Sequence, residues 1–236
     1  MSIRMTPPKQ PHSMNVVINA CTGNGWYKRG QARLVESLRD TGYTGDILSW
    51  CDAPINRHFD PSHPYTIKGA AFAEASKKGY KNILWLDCSI IAIKSINPLF
   101  ELINTEGKYF WKSGWNMAQT ATDTDLEFAG WTRDQAELLH ECASGIVGLN
   151  MHDSQVGRLA SIFMWAQAAG VCSTSRKHDN QSKDPRFKFA RQDQTAFSIA
   201  FHKAGFKNEE MFEQNIHSAF YGTELNESVS LIVHGM

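Results

Sequence analysis

The run Ile83-Leu84-Trp85-Leu86-Asp87-Cys88-Ser89 carries an apolar stretch into a carboxylate. An apolar strand that ends this way delivers its acid to the carboxyl edge of a sheet, where open α/β folds bind ligands. A carboxylate there can hold a divalent cation, and the cation can neutralise a diphosphate. Asp87 equally suits a plain turn at a strand end. The second constellation is Cys21-Thr22-Gly23-Asn24-Gly25-Trp26-Tyr27-Lys28-Arg29. Its glycines let backbone approach a ligand, Trp26 and Tyr27 offer faces to a nucleoside base, and Lys28 and Arg29 suit phosphate. A dinucleotide fingerprint needs a third glycine where Lys28 stands, so a nicotinamide cofactor is disfavoured. Read alone, the two glycines are also ordinary turn chemistry.

Three further segments carry candidate groups. In Arg191-Gln192-Asp193-Gln194, Asp193 suits either the first turn of a helix or a pocket base that deprotonates a hydroxyl. Val233-His234-Gly235 can present an imidazole to a metal from a strand end, or leave it in solvent. Asp123-Thr124-Asp125 is a literal D-x-D, but it lies in a polar Thr/Asp stretch and reads as a solvated loop and helix cap. No Gly-x-Ser-x-Gly is present, which leaves serine-nucleophile chemistry unsupported. Cys88 has no partner histidine at a telling spacing.

The elements that would position these groups alternate in the first half. A β-branched run at 14–20 predicts a strand, 30–41 has helical apolar spacing, and 46–50 is a second short strand. An alanine-rich helix spans 65–78 and a buried strand 82–87. That order predicts an α/β fold, a mostly parallel central sheet flanked by helices. In the second half, a short helix or turn is expected at 98–104, helices at 133–142, 154–169 and 192–204, and strands at 109–115, 144–150 and 229–233. Residues 1–13 are expected to form a disordered tail, with 14–236 as the one domain. The polar stretch 173–184 reads as a loop within it.

Composition narrows the classes. Lys plus Arg number 24 and Asp plus Glu 24, so the formal charge is zero, which argues against a nucleic-acid partner held by a basic surface. The five cysteines are scattered and odd in number, which favours reduced thiols in a cytoplasmic protein over a disulfide framework or a zinc ribbon. The N-terminus lacks the apolar core of a signal peptide, and 83–96 is too short and too charged to span a bilayer.

Taken in order, several segments resemble nucleotide-sugar glycosyltransferases of the GT-A fold. They are the first strand with its Thr22–Tyr27 loop, Pro64-Tyr65-Thr66-Ile67-Lys68, Leu84-Trp85-Leu86-Asp87, 143–150, Asp193-Gln194-Thr195 and His234-Gly235. The resemblance implies a transferase that moves a sugar from a nucleoside-diphosphate donor to a glycan or other hydroxyl acceptor. It implies donor contacts from Thr22, Gly23, Asn24, Gly25, Trp26, Tyr27 and Arg29, from Lys68, Asp87, Cys88 and Ser89, and from Ser144, Gly145 and Asn150. Asp193 would contact the sugar or activate the acceptor. Mn²⁺ or Mg²⁺ would be held by Asp87, Ser89 and His234, with Ser89 standing where the family has the second acid of its D-x-D. A hydroxyl is a poor ligand for a hard cation, so Lys28, Arg29 and Lys68 are the alternative charges for the diphosphate. Two other readings stay open: a nucleotide-binding protein of this fold without turnover, and a sugar-phosphate nucleotidyltransferase.

Overall fold

The computed structural model describes residues 14–23, 25–52, 55–60, 63–171, 182–213, 217–220 and 232–234. The expected tail at 1–13 and most of the polar stretch at 173–184 lie outside them, as do 229–231 of the last expected strand.

The chain opens with strand β1 (Asn15–Cys21), helix α1 (Gly25–Asp40) and strand β2 (Asp46–Cys51). A 3₁₀ turn at Pro64–Thr66 leads into α2 (Ile67–Lys77), followed by β3 (Asn82–Leu86) and the short β4 (Ile91–Ala92). Next come α3 (Asn97–Glu106), β5 (Lys108–Tyr109), β6 (Lys112–Asn116), α4 (Met117–Thr120), α5 (Asp123–Ala129) and α6 (Arg133–Glu137). Strands β7 (His140–Cys142) and β8 (Ile146–Asn150), helices α7 (Ser154–Ala168) and α8 (Asp193–Lys203), and strands β9 (Ser218–Phe220) and β10 (Ile232–His234) complete it.

The central sheet has five strands in the order β2-β1-β3-β8-β5. β1 runs parallel to β2 and β3, and β8 runs antiparallel to both β3 and β5. The α/β, mostly parallel expectation therefore holds, with one reversed strand inside the sheet. Both faces are covered, which is why β1 and β3 read as apolar runs rather than alternations. Val16, Ile18, Ile83, Trp85, Val147 and Leu149 pack on one face with residues of α2, α7 and α8. Val17, Leu84, Leu86 and Ile146, the alternating set, pack on the other with α1 and α3. Phe163 of α7 stacks on Phe197 of α8 at 3.7 Å between ring centroids.

Two second-half expectations are corrected. Residues 133–142 are not one helix: the Thr132–Gln135 capping box starts α6, which stops at Glu137, and His140–Cys142 become β7 by pairing with β6. The expected strand at 109–115 is divided, because Lys108–Tyr109 join β8 while Lys112–Asn116 join β7 in a separate two-stranded sheet. The literal D-x-D is a helix cap, as read, but it is not wholly solvated. Asp125 closes a capping box with Thr122 and is 3% exposed, and burial pushes its carboxyl up to about 6 against the Thr122 hydrogen bonds. No helix among the described residues is long and apolar enough to cross a membrane.

Candidate active site

The first three strands of the sheet end at one edge, where antiparallel β8 begins. Asp87 follows β3 directly, and its N–H donates to the Gly145 carbonyl at 2.9 Å, which carries the β3–β8 ladder one step past the strand. Its Oδ1 accepts from Trp85 Nε1 at 2.6 Å. The same oxygen lies 3.1 Å from Lys68 Nζ. Lys68 reaches this point from the first turn of α2, 2.7 Å from Asp193 Oδ2. It also donates to the Ser144 carbonyl at 2.7 Å and meets Ser144 Oγ at 3.2 Å. An ammonium has three protons and here faces four oxygens. The two Ser144 contacts are its hydrogen bonds, and the Asp87 and Asp193 contacts are close ion pairs.

Lys68 is only 7% exposed, so it is no solvated helix-start lysine. Burial alone would lower its pKa, but Asp193 and Asp87 overcome that and raise it, which keeps the ammonium charged. Burial likewise raises Asp87, with Lys68 opposing. Asp87 lies deep in the fold, yet its side chain keeps 38% of its surface open because it faces a cavity.

That cavity holds about 550 Å³ and opens along the sheet edge. Its floor is the Lys68, Asp87 and Asp193 cluster. One wall is Cys21 and Thr22 at the end of β1, with Trp26 and Tyr27 from α1. The two rings meet edge to face at 4.9 Å and are 43% and 44% exposed. Trp111, Ser113, Gln194 and Arg191 line the cavity as well. Gln192, just before α8, lines the site with a left-handed φ of 46°, a strained choice for a residue with a side chain.

Helix α1 starts at Gly25, earlier than its apolar spacing indicated, so Trp26 and Tyr27 sit on a helical turn rather than in a loop. Gly23 makes the bend with φ +89°, and its N–H donates to Asp52 Oδ1 at 3.0 Å. Asp52 also pairs with Lys28, so Lys28 is engaged at the rim instead of facing the cavity. Close approach of α1 to the turn after β3 depends on Gly30, where an added Cβ would lie 2.4 Å from the Cys88 carbonyl oxygen. A buried amide pair ties the same region together. Asn19 Nδ2 donates to the Leu86 carbonyl, and Gln31 Nε2 donates to Asn19 Oδ1 at 2.8 Å.

The structure thus brings Thr22, Trp26, Tyr27, Lys68, Asp87, Cys88, Ser89, Ser144, Gly145 and Asp193 to one cavity. Gly23, Gly25 and Arg29 are not among its lining residues, and Asn24 lies outside the described residues. The placement of Asn150 with them is corrected. β8 runs antiparallel to β3, so Asn150 pairs with Asn82 at the far end of the sheet and accepts from the His152 N–H at 3.0 Å. Cys88 is a buried thiol, raised by burial to about 11, and it donates to Asn19 Oδ1 at 3.4 Å, so it is no thiolate nucleophile. Missed in the sequence were Ser113, Arg191 and Gln194. Gln194 had a signal, its place beside Asp193 at the start of α8; Ser113 had none.

The described donors for a divalent cation are sparse. Asp87 Oδ1 already meets an ammonium and an indole N–H, Ser89 offers only a hydroxyl, and no three His, Cys, Asp or Glu side chains converge among the described residues. The backbone of His234 does come close: Val233 pairs with Ile91 in an antiparallel register, which sets His234 across from Ile90, beside Ser89. Its side chain lies outside the description.

No protein-family model and no curated protein matches the chain. Solved structures do. A glycosyltransferase involved in the glycosylation of the major capsid of PBCV-1 superposes with a TM-score of 0.54 over 93% of this chain and 91% of that one, at 12% identity. The chain has the GT-A fold. Mouse xyloside xylosyltransferase 1, in its apo form, gives the same TM-score of 0.54 at 12% identity, over 94% of this chain and 97% of that one. The bifunctional glycosyltransferase WbbM matches at 0.50 and 10% identity over 97% of this chain, which corresponds to 46% of its own. At such identities the likeness is one of fold. On a GT-A fold the carboxyl edge that carries Asp87 is the expected place for a ligand.

Proposed function

We propose that the protein transfers a sugar from a nucleoside-diphosphate donor to a hydroxyl acceptor. The observation that carries this reading is the buried Lys68 ammonium held between Asp87 and Asp193 on the cavity floor, with an aromatic pair at the rim. Trp26 and Tyr27 suit a nucleoside base. Breaking the sugar–diphosphate bond develops positive charge on the sugar ring and negative charge on the leaving phosphate. Arg191, on the cavity wall, is the cation for that negative charge, while Lys68, already met by two carboxylates and Ser144, holds the floor acids in place. Asp193, 6% exposed at the head of α8, is the carboxylate placed to accept a proton or bond a sugar hydroxyl. No step is assigned to a metal.

A second reading has one specific observation behind it. Ser89 in place of an acid favours a protein of this fold that binds a nucleotide without turning it over.

Thermal unfolding with UDP, GDP and their common sugar conjugates, in EDTA and then with Mn²⁺, tests the proposal. A ligand at 100 times its Kd adds about 2.7 kcal/mol. For a chain of this length that raises Tm by roughly 5–11 °C. A shift with EDTA present, followed by donor hydrolysis or transfer, supports the proposal. Binding without turnover favours the second reading, and no shift with any nucleotide refutes both.

A further inference from the structure

Glu141 takes no part in the chemistry above, yet it is 0% exposed and stands in β7 directly behind the cavity wall. Burial raises its carboxyl above the ordinary glutamate range, against hydrogen bonds from Ser113 and Gln194. Its Oε2 accepts from Ser113 Oγ at 2.6 Å and from Gln194 Nε2 at 2.6 Å. Both donors line the cavity. A serine hydroxyl can donate or accept, and a glutamine amide can be turned either way round. A buried oxygen that accepts from both removes that freedom. With Nε2 turned toward Glu141, Gln194 Oε1 meets Arg191 Nη2 at 3.1 Å and the Ser144 N–H at 3.4 Å. Ser144 in turn holds Lys68 through its carbonyl. Because the proton of Ser113 is committed to Glu141 and its oxygen already accepts from the Trp115 N–H at 3.2 Å, the hydroxyl has one acceptor position left and can only accept from a molecule in the cavity.

We propose that Glu141 is a positioning residue that sets the hydrogen-bond polarity of this wall, so that Ser113 accepts from, and Gln194 offers its second amide hydrogen to, the hydroxyl groups of the donor's sugar. The proposal rests on the sugar-transfer reading and names the part of the ligand that this wall recognises. Glu141→Gln keeps the shape of the side chain but can donate as well as accept, which restores the freedom of Ser113 and Gln194.

The test compares UDP and GDP with their sugar conjugates by calorimetry on the wild type, Glu141→Gln, Ser113→Ala and the double variant. Each single variant is expected to hold the nucleoside diphosphate within twofold and to weaken the sugar conjugate about tenfold, the loss of one good hydrogen bond. The double variant is expected to be no weaker than Glu141→Gln alone, since the Ser113 contact is already disordered in that variant. Should Glu141→Gln fail to fold, Gln194→Glu, which puts a second carboxylate against Glu141 in place of the amide donor, is compared with Ser113→Ala, and both are expected to lose affinity for the sugar conjugate and not for the nucleoside diphosphate. Equal losses for both ligands, no loss, additive losses, or a wild type that gains no affinity from the sugar would each overturn the proposal. A wild type that binds neither ligand instead refutes the sugar-transfer reading, and this proposal falls with it.

Discussion

Replacing Lys68 with methionine removes the one charge that reconciles two acids at the cavity floor. Lys68 and Asp193 have side chains 9% and 8% exposed, 2.7 Å apart, so their pair is a buried one. Removing one partner of a buried pair costs about 3–5 kcal/mol, because the other charge is left behind. The Asp87 contact is discounted, since that side chain is 38% exposed and solvent screens it. The lower end, about 3 kcal/mol, is therefore expected, and for a chain of this length it lowers Tm by roughly 6–12 °C. The pH dependence has a definite sign. The folded pKa of Lys68 lies above its ordinary 10.5, so its contribution is complete below that value and is lost as pH rises through the folded one. Burial places Asp87 above its ordinary 3.8, so the folded protein holds the extra proton between those two values, and stability falls as pH rises across that window. In Lys68→Met, Asp87 faces the Asp193 carboxylate without a cation between them and its pKa rises further, so the deficit should shrink as pH drops from 7 toward 5. Calorimetric or circular-dichroism melts at both pH values, with Lys68→Met/Asp193→Asn as the charge-balanced control, measure this. A Tm within 2 °C of wild type at pH 7, or a deficit that grows on acidification, would refute the reasoning.

Three other outcomes are expected. Trp26→Ala should weaken nucleoside diphosphate binding about tenfold without moving Tm, because stacking on one base is worth about 1–3 kcal/mol and the ring is 43% exposed; nucleotide titration checks it. Gly30→Ala should destabilise the fold by about 1–3 kcal/mol, since its Cβ would fall 2.4 Å from a backbone oxygen, and urea unfolding reads the loss. Of the four described cysteines, Cys51 is exposed while Cys21, Cys88 and Cys142 are buried and raised by burial, Cys21 to about 12. A maleimide followed by peptide mass mapping should therefore label Cys51 first and those three only after unfolding.

Much of the fold was legible because its signals are local. The apolar runs at β1 and β3, the alanine-rich α2 and the acid at the end of β3 each follow from residue type and period. The α/β order followed from them, and so did the meeting of Asp87 with the end of β1, since parallel strands finish at one edge. The second half was less legible. β7 is three residues long and carries no alternation that marks it; only its partner β6 makes it a strand.

By itself, then, the sequence determined which segments are apolar enough to form covered strands and helices, where strands end and which acids stand at their ends, for those depend on neighbours along the chain. Tertiary structure alone decided the direction of β8, and with it that Ser144 and Gly145 reach the cavity while Asn150 points the other end of the strand away from it. It alone decided that Lys68 lies buried between two carboxylates and that Glu141 sits behind Ser113 and Gln194. The physical reason is that burial and charge pairing arise between residues far apart in sequence, here 76 positions for Lys68 and Ser144, and no local pattern records which of them will meet.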